Sequence, residues 1–361
     1  MKIAQISATV HRLPIRPPAL DYDIHREIVF VRLTTEEGVT GYGMTSQILR
    51  HSVADFINRE LGPFLTGHSI LETERNWEEM YWRFNQRATT GVVQSSISAV
   101  DIASWDAKGK ALGQPTWRLL GGYSSRVPTY VTFGLTEYDR DTLAAVAADW
   151  VREGHRRLKL VVGAHWGLDE DARRVRAVRE AVGDDVELMI DANQLLNPAE
   201  ARRLCKKVEQ YDIFWFEEPL WGNDTARLAE LRRQTSIPIA AGQNEGHRWR
   251  QRELMAGGAV DIAQANVVYV GGYTEGQRVA HMAQGFSLPF ANGGGWPHHN
   301  AVLHASVANG WRVEFHVAMW RAGELIWEAP PPPVDGWVTL GDAPGLGLEP
   351  REDALRDTRE A

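Results

Sequence analysis

From about residue 126 onward, short apolar segments recur roughly every 25 residues, each followed by a helical stretch. They are VPTYVTFG, RRLKLVV, VELMID, DIFWFEE, PIAAG, VDIAQAN, LPFAN and WRVEF, with helical patterns such as DTLAAVAADWVREG, DEDARRVRAVREAVG and TEGQRVAHMAQG between them. Strands alternating with helices of this length make βα units, and eight such units predict an α/β fold closed into a (β/α)8 barrel. Three strand ends carry oxygen ligands at equal intervals: Asp191, Glu217 and Gln243, each 26 positions after the one before. Side chains from neighbouring strands converge at the C-terminal mouth of such a barrel. Two carboxylates and an amide carbonyl are hard donors, which suit Mg²⁺ better than zinc or copper. An amide stands where a third carboxylate is expected.

The first part of the chain reads differently. IVFVRLTTEEGVTGYG reads as strand, turn, strand, and the proline-marked stretch Pro14–Arg26 reads as a mobile loop. From Gln47 to Leu112 the pattern is helical; SSISAVDIASWDAKGKALG stops at Gly113, with Pro115 beyond. The expected organisation is an α+β cap over 1–125, the barrel over 126–320, and a segment over 321–361 that returns to the cap. With 361 residues and 43% apolar content the chain can bury a full core. A net charge of −8 argues against a nucleic-acid surface. MKIAQISATVHRLP lacks the apolar run of a signal peptide and nothing approaches a membrane span, so a cytoplasmic protein is expected. The single cysteine, Cys205, lies in a helical pattern and reads as a buried structural thiol, in keeping with a reducing compartment.

Several motifs together carry a resemblance. WDAKGKALGQPTWRLLGG leads into the barrel; MIDANQ, FEEP and YVGG follow at strand ends, and PGLGLE closes the chain. The sequence resembles the enolase superfamily, on its mandelate racemase and muconate lactonizing enzyme side, over nearly the whole length. The resemblance implies Mg²⁺-dependent removal of the proton α to a carboxylate, through an enediolate that the metal stabilises, with lysine or histidine bases. It also implies a symmetric homo-oligomer and a small-molecule carboxylate as substrate.

The sequence departs from the resembled pattern repeatedly. In the second barrel strand, Lys159-Leu160-Val161-Val162-Gly163, Lys159 matches the first lysine of a pair and Val161 replaces the second, the usual base. Residues two apart face the same side, so Lys159 points inward about 6–7 Å deeper. It reads as a substitute base, as a charge orienting the substrate carboxylate, or as a buried partner of Asp191 or Glu217. Asn266 occupies the place of the aspartate that orients the catalytic histidine, and Tyr269 stands where the lactonizing branch has a lysine base. Tyr269 is either an acid/base or a residue filling the barrel end. After the seventh strand, in AsnGlyGlyGlyTrpProHisHisAsn, His298 is preferred as the catalytic histidine, with His299 kept as the alternative. Glu314 matches a glutamate that binds the substrate; pairing with Arg312 or His316 is disfavoured because these are expected on other faces. Glu245, two residues past Gln243, is an alternative third ligand, and Asn193 and Gln194 would support the site.

The expected function is Mg²⁺-dependent abstraction of the α-proton of a hydroxy-carboxylate, in the first instance dehydration of a sugar acid, because one acid/base plus the metal suffices for β-elimination. A racemase or epimerase would need two bases; a cycloisomerase of a carboxylate and a non-catalytic carboxylate-binding relative are the other readings. Specificity is expected from cap residues around Pro14–Arg26 and Gln47–Val53, among them Tyr22, His25, Asp21, Asp23 and Arg50.

Overall fold

The computed structural model describes residues 1–46, 49–84, 90–164 and 167–360. The chain opens with an antiparallel sheet in which β1 (Ile3–Ile15) pairs with β2 (Ile24–Thr35) and β2 with β3 (Thr40–Thr45). Pairing reaches Ile15↔Ile24, so much of the expected Pro14–Arg26 loop is strand, and only 16–23 connects the two. Gln47 of the expected specificity stretch lies outside the described residues. The Val92–Leu112 helix covers one face of this sheet, and its contact is unusually close. A methyl group at Gly43 would lie 2.0 Å from the carbonyl oxygen of Ala99, and one at Gly41 would lie 2.2 Å from that of Ala103.

Eight parallel strands follow: β4 (Arg126–Gly134), β5 (Arg157–Val161), β6 (Glu187–Asp191), β7 (Ile213–Glu217), β8 (Ile239–Ala241), β9 (Ile262–Gln264), β10 (Phe290–Ala291) and β11 (Gly310–His316). Each pairs with the next, and β11 pairs with β4 to close the barrel. Several of the helices between them start where a polar side chain replaces a missing backbone partner. Asn197 and Glu200 form a reciprocal capping box at the head of Pro198–Val208, for example. Inside the barrel Tyr130, Met189, Trp215, Ala240, Ile262 and Ala291 pack into an apolar floor. The outward-facing strand residues join a second, larger core under the helices. Cys205 is buried there, its thiol pushed up to about 11 by burial.

After the barrel, the chain adds a short strand, β12 (Trp337–Thr339), antiparallel to β4. It also runs back along the cap, where Arg12 N–H donates to Thr358 and Glu360 N–H to Val10. The cap is hydrogen-bonded to the barrel along 268–274. Thr45 and Gln94 donate to the carbonyls of Val268 and Val270, Trp77 donates to Gly271, and Asp101 accepts from both the amide and the hydroxyl of Thr274. Gly271 and Gly272 have φ of 118° and 79°, and a methyl at Gly272 would sit 2.3 Å from Asp101 Oδ2, which explains the glycine pair of YVGG. Among the described residues no helix is long and apolar enough to cross a membrane.

Two predictions concern stability. Gly43→Ala should destabilise the protein by about 1–3 kcal/mol or more, because neither the sheet nor the helix backbone can yield locally; urea unfolding would measure this. The second concerns His298, His299 and His304, which lie in one buried helix, Pro297–Ser306, and are pushed down by burial to about 3. They are neutral when folded and bind protons below about pH 6.5 when unfolded, so their contribution is complete above that pH and is lost as pH falls toward 3. Asp101 and Asp106, pushed up by burial to about 7 and 6, act in the opposite sense. Comparing the wild type with His304→Leu isolates one imidazole, since the carboxylates are common to both. The variant's melting temperature should fall less steeply between pH 6.5 and 4, and equal slopes would show that this ring is not held neutral.

Candidate functional site

The strand register sets the site. Val161, Asp191 and Glu217 lie side by side across β5, β6 and β7, one step above the apolar floor. Lys159, a step deeper, points its ammonium up between them. Its Nζ lies 2.6 Å from Glu217 Oε1, 2.9 Å from Glu314 Oε1 and 3.0 Å from Asp191 Oδ2. Burial works against a charged ammonium, but the three carboxylates outweigh it and hold the pKa of Lys159 well above the ordinary lysine range. Lys159 is thus a fixed positive charge paired to carboxylates from three strands.

Each carboxylate is also oriented by a second donor. Asp191 Oδ1 accepts from the amide of Asn193 at 2.8 Å, and Glu217 Oε2 from the indole of Trp215 at 3.1 Å. Glu314 accepts from the Thr132 hydroxyl and, at 2.6 Å, from the amide of Gly295. Burial pushes Glu217 well upward, the charges of Asp191 and Glu314 add to this, and Lys159 opposes it; three carboxylates face one ammonium.

Gln243 lies two residues beyond β8, in the next position around the barrel. Its Nε2 donates to Glu218 Oε2 at 3.1 Å, which turns Oε1 toward Glu217. A methyl group at Gly293 would lie 2.6 Å from Glu217 Oε1 and 2.9 Å from Gln243 Oε1, so the two oxygens flank one point that only a glycine leaves open. Among the described residues no group of three His, Cys, Asp or Glu side chains is arranged to hold a metal ion. The third oxygen at this site is an amide, so the donor set of Asp191, Glu217 and Gln243 lies outside that description, and its hard oxygens and excess negative charge fit a divalent cation. Above it opens a cavity of about 350 Å³ between barrel and cap, lined by Glu27, Ser46, Asn193, Gln243, Asn244 and Tyr269 among others. A larger depression of about 740 Å³ between Trp327 and Pro350 contains none of these groups.

The structure does not bring the expected histidine to the site. His298 lies outside the barrel wall, edge-on to Phe315 at 6.0 Å, and a methyl at Gly323 would meet its Nδ1 at 2.5 Å. Phe315 alternates with inward-facing Glu314 and therefore points outward, which places His298 in the helical layer. His299 packs on Trp327 at 5.7 Å, also away from the mouth. Both adjacent histidines fall inside the Pro297–Ser306 helix, where neither is free to swing into the cavity.

Further expectations are corrected. Glu245 turns away from the site, accepting from Arg250 at 3.1 Å and Asn223 at 3.1 Å. Asn266 holds no imidazole; it donates to the carbonyls of Gly293 and Gly295 at 2.7 and 3.2 Å and so fixes the glycine turn. Tyr22 is exposed, and His25 lies in β2 beside a different surface depression. Asp23 is paired to Arg16 and Arg50 to Glu360. Asn193 and Tyr269, by contrast, line the cavity.

Tyr269 accepts from the Trp296 indole at 3.3 Å; burial pushes its phenol up, while Trp296, Ser46 and Arg26 work the other way.

Some residues at the site were missed. Arg312, Glu314 and His316 share one strand face, as a period of two requires, and do not lie on different faces. Arg312 reaches Glu187 at the opposite end of the barrel. His316 stands beside Glu314 and the glycine turn, neutral because burial lowers it to about 4. Its Nδ1 accepts from Ala318 N–H at 3.3 Å, which leaves Nε2 as the protonated donor. Glu218 is buried and pushed up by burial to about 7, held by amides of Asn223, Asn244 and Gln243. Strand alternation gave the signal for His316; nothing in the sequence singled out Glu218 beyond its place in FEEP.

Residues 6–121 match the N-terminal domain of the mandelate racemase / muconate lactonizing enzyme family, and residues 142–354 match the enolase C-terminal domain-like family. The chain is 31% identical to an arabinonate dehydratase of Saccharolobus solfataricus, over 92% of this chain and 90% of that protein. It is equally 31% identical to a 3,6-anhydro-alpha-L-galactonate cycloisomerase of Streptomyces coelicolor, over 96% of each. Among solved structures, a racemase from Streptomyces coelicolor with bound magnesium superposes with a TM-score of 0.91 at 29% identity, covering 99% of this chain and 100% of that one. The barrel, the cap and the strand-end carboxylates agree with these matches, and the chain belongs to the mandelate racemase / muconate lactonizing enzyme family of the enolase superfamily.

Proposed function

We propose that this protein is a Mg²⁺-dependent enzyme that removes the α-proton of a small hydroxy-carboxylate, its main reaction being dehydration of a sugar acid. The observation that carries this reading is that Glu217 and Gln243 oxygens flank one open point at Gly293, while Asp191 lies beside Glu217 across the charged Lys159. These three residues would hold the ion, which when bound would supply positive charge against a substrate carboxylate and so make the α-proton removable. Lys159 and Glu314 set the charge and geometry of the carboxylate end.

The proton transfers are assigned to Tyr269, on the cavity wall. Its oxygen is faced by the Trp296 indole, the Ser46 hydroxyl and the Arg26 charge, which favour the phenolate against the burial that raises it; as the phenolate, Tyr269 takes the α-proton and becomes a phenol. The phenol so formed can return that proton to the leaving β-hydroxyl, and His316 presents a neutral N–H beside it. A second base on the opposite face, which racemisation requires, is not supplied by Val161 or His298. The cycloisomerase among the relatives supports the second reading, elimination within a lactone or anhydro-sugar acid.

A panel of aldonic and aldaric acids and their lactones, incubated with Mg²⁺ in D₂O and followed by NMR, tests this. At least one should exchange its α-proton and yield a 2-keto-3-deoxy acid; a product of unchanged mass would favour isomerisation. Exchange with none of them, in a protein that binds Mg²⁺, would sink the catalytic reading in favour of a carboxylate-binding relative. Tyr269→Phe should lower turnover at least about 100-fold, the usual lower bound for losing an acid/base group, with Mg²⁺ affinity kept. His298→Ala should instead cost about 2–4 kcal/mol of stability, as a core truncation does, and retain turnover in the folded fraction; loss of turnover there would reinstate His298.

A further inference from the structure

We propose that Glu218 is the positioning residue that makes Gln243 a metal ligand: it fixes the amide with its oxygen toward the ion and supplies, from behind, the negative charge that Gln243 lacks. The inference rests on the Mg²⁺ reading of the site given above. A glutamine side chain is nearly symmetric in shape, so only its hydrogen bonds decide which end faces a ligand. The Asn223 and Asn244 amides also donate to Glu218, so its carboxylate is placed as an acceptor. Glu218 Oε2, 3.1 Å from Gln243 Nε2, therefore selects the orientation in which Oε1 faces Glu217 Oε1 across Gly293.

Glu218 is itself immobilised. Its Oε1 accepts from Asn223 at 2.8 Å and its Oε2 from Asn244 at 2.6 Å, and its backbone is held at φ 38°. The groups that hold it are neutral amides, which donate hydrogen bonds without cancelling its charge. The negative charge expected on a third ligand has thus moved one residue outward, behind an amide that relays it. Outer groups that orient a ligand and raise its donor strength act in this way at other metal sites.

This arrangement has a consequence opposite to the simple expectation for the ligand set. Replacing Gln243 by glutamate would add a metal-binding carboxylate, yet it would set two carboxylates face to face at hydrogen-bond distance, where one of the pair takes up a proton. The added charge would be spent against Glu218.

The test is a cycle of four proteins titrated with MgCl₂ by calorimetry and with Mn²⁺ by electron paramagnetic resonance: wild type, Glu218→Gln, Gln243→Glu and the double variant. Glu218→Gln should weaken binding by about 10- to 100-fold, the usual cost of losing an outer partner. Gln243→Glu should bind no tighter than wild type. The double variant, which returns the charge to the ligand and places the donor behind it, should recover wild-type affinity or better. Wild-type affinity in Glu218→Gln, or an order-of-magnitude gain in Gln243→Glu alone, would overturn the proposal while leaving the metal site standing. Failure of wild type and double variant alike to bind either ion would remove the metal reading and this proposal with it. If Glu218→Gln melts early, the sign of the Gln243→Glu effect alone still decides.

Discussion

The ammonium of Lys159 is the constraint around which the barrel mouth is arranged. Three carboxylates from β6, β7 and β11 could not be packed side by side over an apolar floor without a cation, since like charges at such distances in a poorly polarisable interior are strongly repulsive. One lysine from β5 touches all three, at 2.6 to 3.0 Å. It leaves an excess of negative charge, which is what a site for a divalent cation requires. Lys159 therefore both makes the acidic cluster compatible with folding and leaves it under-neutralised. Removing either carboxylate neighbours or the lysine would expose an uncompensated buried charge, so the cluster is one unit and not a set of independent residues.

The second organising element is the segment 266–274 together with the glycine turn of 293–295. The cap grips the first through Thr45, Gln94, Trp77 and Asp101. Asn266 ties it to the second by donating to the carbonyls of Gly293 and Gly295. Tyr269 and the empty space at Gly293 are thus placed by the same hydrogen bonds that dock the cap. The cavity exists because the cap is held there, and the cap is held there through backbone groups that lie next to the site. This explains why a residue expected to orient a histidine, Asn266, instead serves as a clamp: an amide has two N–H donors to offer to carbonyls, and a carboxylate would have none.

Much of this was legible in the sequence. The eight strands, their order and the inward positions of Lys159, Asp191, Glu217 and Glu314 follow from a period of two and a recurrence of βα units, and the structure has them so. The period also contained His316, which the same rule places with Glu314 once it is applied consistently. What the sequence did not reveal depended on rotation about a helix or on side-chain rotamers. His298 and His299 follow a loop in sequence, but they belong to the first turns of a helix whose start turns both rings away from the mouth. Glu245 is two residues from Gln243, yet Arg250, from the next helix, draws it outward.

By itself, then, the sequence determined the barrel, the cap and which strand ends bear oxygen donors, because backbone periodicity and hydrophobic spacing are local properties that each segment carries with it. Only the tertiary structure decided which of those donors meet. It set Lys159 among three carboxylates, aimed the Gln243 oxygen by means of Glu218, and put a tyrosine in place of a histidine at the cavity wall. The reason is physical: hydrogen-bond and ion-pair choices at a barrel mouth are made between residues tens of positions apart, at distances of about 3 Å, and no local pattern encodes which partner wins.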